Sequence, residues 1–358
     1  MKKKRSTGLV VGIGLLVLSL VGVGLVFAWN NPLFGKSLPT LSSIFNPEGQ
    51  FSPKAEVKTE GVAEEAAIED AVAEEVVPEE VAALIPDMEA AVAVEGKPVC
   101  GGPEVMHALV LGIDEHEQSD AIRLVRIDFV KQEVWVVSIP RDFYGPVVGF
   151  EQHGIEQGRI NATYGYGEWF DGIGQGVVAL ANNVNYNYGV TFDHYLVLHL
   201  YNIGKYIDMM GGIDIVLEKP AADAFHYYAA GTHHFTGEQA VEFMRIRNYD
   251  TDFARISRQS MILKAAFDKA RADMNLVELM GVGIQILKDK TIHTDFALKN
   301  VYPLVCLAMQ IEPSNVHMVE IPRDMHHMAT TVYGGAVQIY HDTVPPFIQS
   351  VMDGMDEK

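Results

Sequence analysis

The chain has 358 residues, with 47 acidic against 27 basic side chains and a formal net charge of -20. Nucleic-acid binders usually carry a basic footprint, so this balance argues against nucleic acid as a partner. Two cysteines, Cys100 and Cys306, are too few for a disulfide framework. One bridge between them in an oxidising compartment and two buried thiols are both compatible with their positions.

Residues 1–7 (MKKKRST) are strongly basic, and residues 8–28 follow without a charge. About twenty apolar residues suffice for a membrane-crossing helix, and no small-x-small cleavage pattern follows them. The expectation is one uncleaved, single-pass anchor in the cell membrane. Its lysines stay in the cytoplasm and the rest lies outside it. Residues 29–96 read as a disordered acidic tether. Paired acids recur every five residues (Glu64-Glu65, Glu69-Asp70, Glu74-Glu75, Glu79-Glu80), a period that fits neither a helix face nor a strand. The folded domain is expected over residues 97–358.

Three short runs rich in Val, Ile and Leu open that domain: Ala108–Ile113, Ile122–Phe129 and Val134–Ile139. They read as strands of a covered sheet, with Arg123 and Arg126 interrupting the second. Further along, helices are expected over Val177–Asn187, Tyr201–Met210, Gly237–Met244 (with Thr236 as N-cap), Phe253–Met274, Leu276–Leu287 and Val344–Met352. Strands are expected at Tyr195–Leu200, Ile213–Val216, Val316–Ile321 and Ala336–Tyr340. Residues 222–235 read as a polar, His-containing excursion. The alternation says α/β, with helices on both faces of the sheet.

Charges gather where the opening runs stop. Asp114 follows the first, Asp120 precedes the second, and Arg141-Asp142 follow the third. Strand ends are where ligands bind in α/β sheets, and acids beside an arginine suit a hard cation with a phosphate-bearing ligand. A second cluster comprises Arg245, Arg247, Asp252, Arg255 and Gln259. In a helix Asp252, Arg255 and Gln259 share one face, and several guanidinium forks in a short span suit multidentate phosphate recognition.

The ordered series LGID, SD, SIPRD, RINA, GGI, GEQAVEFMRIR and DFARISRQ, spanning roughly Met106 to Lys269, resembles the LytR-CpsA-Psr family of bacterial envelope proteins. The resemblance implies a three-layer α/β/α fold with a central mixed sheet behind one N-terminal transmembrane helix. It implies Mg2+-dependent transfer of a glycopolymer from a polyprenyl-pyrophosphate carrier to a hydroxyl of peptidoglycan or another envelope acceptor. By motif, Asp114 and Asp120 match the acids near the metal and pyrophosphate, either of which is a candidate general base. Arg141, Arg245, Arg247 and Arg255 match the phosphate-binding arginines, and Asp252 and Gln259 the polar residues beside them. Two rival readings are a non-catalytic protein holding lipid-linked or anionic polymer and a pyrophosphatase on the same lipid.

Three departures bear on the acceptor side and on the number of phosphate contacts: the short acidic stretch 115–119, Phe143-Tyr144-Gly145-Pro146 after SIPRD, and the short link from Arg247 to Asp252. Phe192, Tyr195, Val197, Ile203, Met209 and Met210 are candidate lipid lining, though core is the commoner role at such spacings. His226, His233, His234, His326 and His327 match no zinc spacing. IPRD recurs at Ile321–Asp324, and Arg323 is not assigned to the site.

Overall fold

The computed structural model describes residues 96–114, 118–223, 226–246, 252–331 and 336–354. The expected anchor and most of the acidic tether lie outside these residues, as does Arg247. Among the described residues no helix is long and apolar enough to cross a membrane.

In chain order the elements are β1 (Val105–Ile113), β2 (Ser119–Asp128), β3 (Glu133–Ile139), β4 (Phe143–Pro146), β5 (Gln157–Arg159), α1 (Ala162–Tyr166), α2 (Gly176–Tyr188), β6 (His194–His199) and α3 (Leu200–Met209). There follow β7 (Ile213–Leu217), β8 (Ala221–Ala222), β9 (Tyr227–Tyr228), β10 (Gly231–Phe235), α4 (Gly237–Arg245), α5 (Asp252–Asp273) and α6 (Leu276–Lys288). The chain continues through β11 (His293–Thr294), α7 (Leu298–Gln310), β12 (Val316–Glu320), β13 (His326–Thr330), β14 (Ala336–Tyr340) and α8 (Val344–Met352).

The main sheet has six strands in the order β11-β6-β1-β2-β3-β12. β1, β2 and β3 run antiparallel, while β6 pairs parallel to β1 and β12 parallel to β3. The sheet is therefore mixed. Both faces are buried, which is why its central strands are apolar nearly throughout. On one face Leu109, Leu111, Leu124 and Val137 pack with Leu180 of α2 and Ile348 of α8. On the other, Met106, Ile127 and Phe129 pack with Leu307 and Ile311 at the end of α7. Each such fully buried side chain contributes about 2 kcal/mol of transfer free energy.

Cys100 and Cys306 form a disulfide with Cα atoms 5.8 Å apart, tying the entry segment to α7. Of the two options the sequence left open, the bridge is the one found.

The residue 222–235 excursion holds more order than a loop, because β10 pairs antiparallel with β7. A second, four-stranded sheet of β13-β14-β4-β5 has only partial precedent in the sequence reading, which contained β14 alone. The helix α7 has none; Pro303 lies inside it, a residue that argues against a helix when the pattern alone is read. The candidate lipid-lining residues do not form one surface. Phe192 and Val197 belong to the main core, Ile203 and Met210 to a separate cluster around Phe235 and Phe243, and Met209 is exposed.

Candidate functional site

Because β1–β2–β3 run antiparallel, the end of β1, the start of β2 and the end of β3 share one edge of the sheet. That edge carries Asp114, Asp120 and Arg141-Asp142. A local irregularity sharpens the arrangement. Gly112 pairs with Ala121 whereas Ile113 pairs with Ser119, so Asp120 is the extra residue of a β-bulge. Residues three apart in a regular strand point to opposite faces. The bulge re-aims Asp120 so that it and Arg123 both meet α5.

On α5 their partners stand one turn apart. Arg255 Nη1 lies 3.6 Å from Asp120 Oδ2, and its Nη2 donates to the Asp120 carbonyl at 3.4 Å. Arg123 Nη2 donates to Gln259 Oε1 at 3.0 Å. Arg141 closes the group by donating from Nη1 to Asp120 Oδ1. One carboxylate thus holds two guanidiniums, from the turn after β3 and from α5, in largely buried surroundings.

Asp142 lies 3.7 Å from Arg141 Nε and 3.4 Å from Arg159 Nε, bringing a third arginine alongside. Buried Asn161 stitches the loops together. Its amide N–H donates to the Arg141 carbonyl at 3.2 Å, its side chain donates to Gln118 Oε1 at 3.1 Å, and its carbonyl accepts from the Ser119 N–H and hydroxyl. Asp114 is fixed by Gln118, whose N–H donates to Asp114 Oδ1 at 3.0 Å.

The helix α4 is locally well specified. Thr236 and Gln239 exchange the two hydrogen bonds of a capping box, and Asp208 Oδ1 accepts from the Gly237 N–H at 2.7 Å. Buried Arg258 donates to the carbonyl of Ile246, the C-cap residue of α4, at 2.6 Å. It therefore joins the end of α4, where exposed Arg245 stands, to α5.

Of the expected site residues, Asp120, Arg141 and Arg255 come into direct contact, with Gln259 one turn along and Asp114 at the neighbouring strand end. Arg245 sits at the end of α4. Asp252 heads α5, but its side chain lies outside the described residues, and so does Arg247. Sequence reasoning left out Arg123, Asn161, Arg159 and Arg258. For Arg123 the signal was present, as a charge inside an apolar strand. Arg126, the other interruption, turns to the opposite face and pairs with Asp128 at 2.8 Å.

The second IPRD is a structural echo, since β3 and β12 are parallel neighbours and both copies follow at the same edge. Arg323 there sits over the Phe253 ring at 5.6 Å. Four of the histidines noted in sequence have nearby partners: His226 with Asp223, His233 with the Ala229 carbonyl, His234 with Asp214, and His327 with His341. Among the described residues no group of three or more His, Cys, Asp or Glu could hold a metal.

At one end of a mixed α/β sheet, guanidiniums gather on one carboxylate, a chemistry suited to a multiply charged anion. The model of the LytR_cpsA_psr family matches residues 83–343, and the chain belongs to that family. A curated relative from Bacillus cereus, polyisoprenyl-teichoic acid--peptidoglycan teichoic acid transferase TagU, is 26% identical over 241 residues, covering 64% of this chain and 73% of the relative. Among solved structures, B. subtilis TagV superposes with a TM-score of 0.58 at 19% identity, covering 71% of this chain and 100% of TagV. TagT bound to LIIa-WTA superposes at 0.57 and 18% identity, covering 74% of this chain and 95% of that one. At these identities the structural likeness speaks to the fold.

Proposed function

We propose that this protein transfers a glycopolymer from a polyprenyl-pyrophosphate carrier to a hydroxyl of peptidoglycan or another envelope acceptor. The observation that carries the reading is Asp120 held between Arg141 and Arg255, in a chain whose curated relatives are named as transferases of this kind. In the reaction the acceptor oxygen forms a bond to the phosphorus that bears the glycan. The phosphoanhydride bond breaks, and polyprenyl phosphate departs with the bonding electrons. The acceptor proton passes to a carboxylate, Asp120 or Asp114. Arg141, Arg245, Arg247 and Arg255 carry the charge that grows on the phosphate oxygens. Asp252 and Gln259 orient the donor.

Two carboxylates at one sheet edge fit a magnesium ion that draws its remaining ligands from the donor phosphates and water, its ordinary preference. Asp114 and Asp120 would hold it, and when bound it would neutralise the leaving phosphate. Residues 8–28 supply the membrane anchor, with the catalytic domain outside the cytoplasm. The Cys100–Cys306 bridge supports that placement, because such bonds persist in oxidising compartments.

The test is to incubate the full-length protein in detergent with magnesium, a polyprenyl-pyrophosphate-linked saccharide and peptidoglycan fragments, and to follow products by mass spectrometry. Coupled product that disappears in Arg141→Ala and Asp120→Ala supports the reading. Free saccharide phosphate without coupling would point to a hydrolase, and donor binding without turnover to a polymer-holding protein.

A further inference from the structure

Arg123 and Gln259 form a polar pair in the layer between the sheet and α5, each only 3% exposed. A carboxamide has an acceptor end and a donor end, whereas a guanidinium only donates. With Oε1 seated on Arg123 at 3.0 Å, the flip of the Gln259 amide is decided. Its NH2 must then be the end turned away from Arg123. That Nε2 is buried and has no hydrogen-bond partner among the described residues. Buried amide donors are ordinarily satisfied, and a phosphate oxygen beside Arg255, one turn away, is an acceptor that would satisfy this one. The guanidinium itself interrupts an apolar strand run, a placement that core packing alone would not select.

We infer that Arg123 is a positioning residue for donor binding: it locks the Gln259 carboxamide so that Nε2 donates to a phosphate oxygen of the polyprenyl pyrophosphate. The inference rests on the donor proposed above, and it adds a residue that acts through Gln259 rather than on the substrate. The β-bulge at Asp120 makes the arrangement possible, because it lets Asp120 and Arg123 reach two successive turns of α5 at once.

The test uses the full-length protein in detergent with magnesium. It measures affinity for geranylgeranyl pyrophosphate by calorimetry and the thermal midpoint in parallel. Gln259→Glu keeps an acceptor for Arg123 but removes the donor. It should bind the probe at least about tenfold more weakly while its midpoint stays at or above that of the wild type. Arg123→Met should weaken binding by a similar factor, and Arg123→Lys should recover part of it. In a Gln259→Ala background, Arg123→Met should change affinity less than about twofold, because the two residues act as one unit. Wild-type affinity in Gln259→Glu would overturn the inference, even if Arg123→Met fails to fold. So would an Arg123→Met effect of the same size with and without Gln259. A wild-type protein that ignores the probe would instead remove the donor reading on which the inference stands.

Discussion

The guanidinium of Arg141, at the end of β3, lies on the carboxylate of Asp120, the extra residue of the β2 bulge. In the proposed reaction the acid has two roles. It holds Arg141 and Arg255 in place before the donor arrives, and it is a candidate to take the acceptor proton. Asp120→Asn keeps the shape and a hydrogen-bonding oxygen but removes the charge. The turnover number should fall by roughly 10²–10⁴, while the donor KM changes by less than about tenfold. Steady-state kinetics on the purified variant checks this. A large rise in KM with an unchanged turnover number would assign Asp120 to ground-state binding alone.

Asn161 should matter to both halves of the site, since it ties the Gln118-Ser119 segment to Arg141 from a buried position. Asn161→Ala removes the bond to Gln118 Oε1, a loss of about 1–2 kcal/mol in unfolding free energy. Denaturant unfolding measures that term. Activity should fall less than in Asp120→Asn, because the backbone bonds of residue 161 to Ser119 and to the Arg141 carbonyl survive the substitution and only the tie to Gln118 is lost.

The disulfide joins positions 206 residues apart in sequence, so its constraint on the unfolded chain is large. A Cys100→Ala/Cys306→Ala double variant should lose about 2–5 kcal/mol of stability. The site edge, formed by the other end of the sheet, should keep its donor affinity at 25 °C. Calorimetric melting beside a binding measurement separates the two effects.

His326 is buried, stacks on Phe253 at 4.5 Å, and has a pKa below its ordinary value. Burial is the main cause, with His341, Arg323 and His327 adding to it and Asp324 opposing. The folded protein therefore keeps this ring neutral while the unfolded chain protonates near pH 6.5. Stability is complete above that pH and falls as the pH drops through it toward the folded pKa. His326→Phe preserves the stack, and its melting temperature should fall less between pH 8 and pH 5.5 than the wild type's. Equal falls would show that other groups set the acid dependence.

Part of the candidate site was legible in the sequence: Asp120 and Arg141 stand at the ends of apolar runs, and Arg255 lies in the series DFARISRQ. The long helix α5 and the capped start of α4 were equally plain, since a helical pattern and the N-cap Thr236 are local features. What escaped depends on how the strands and helices pair with one another. The bulge at Asp120 exists only through the register of β1 against β2, and the burial of Arg123 only through Gln259, 136 residues away. The second sheet escaped for the same reason, since β4 finds β14 across nearly two hundred residues. The helix α7 was hidden by Pro303, because packing beneath the disulfide overrides the local penalty.

The central claim is that a sugar hydroxyl, not water, accepts the glycan-bearing phosphate. Running the reaction in water enriched in oxygen-18, with magnesium, lipid-linked donor and peptidoglycan fragments, tests this directly. The account predicts a coupled glycan-phosphate-peptidoglycan product without the heavy oxygen, formed by the wild type and lost in Arg141→Ala. Heavy oxygen in free saccharide phosphate, with no coupled product, would contradict it.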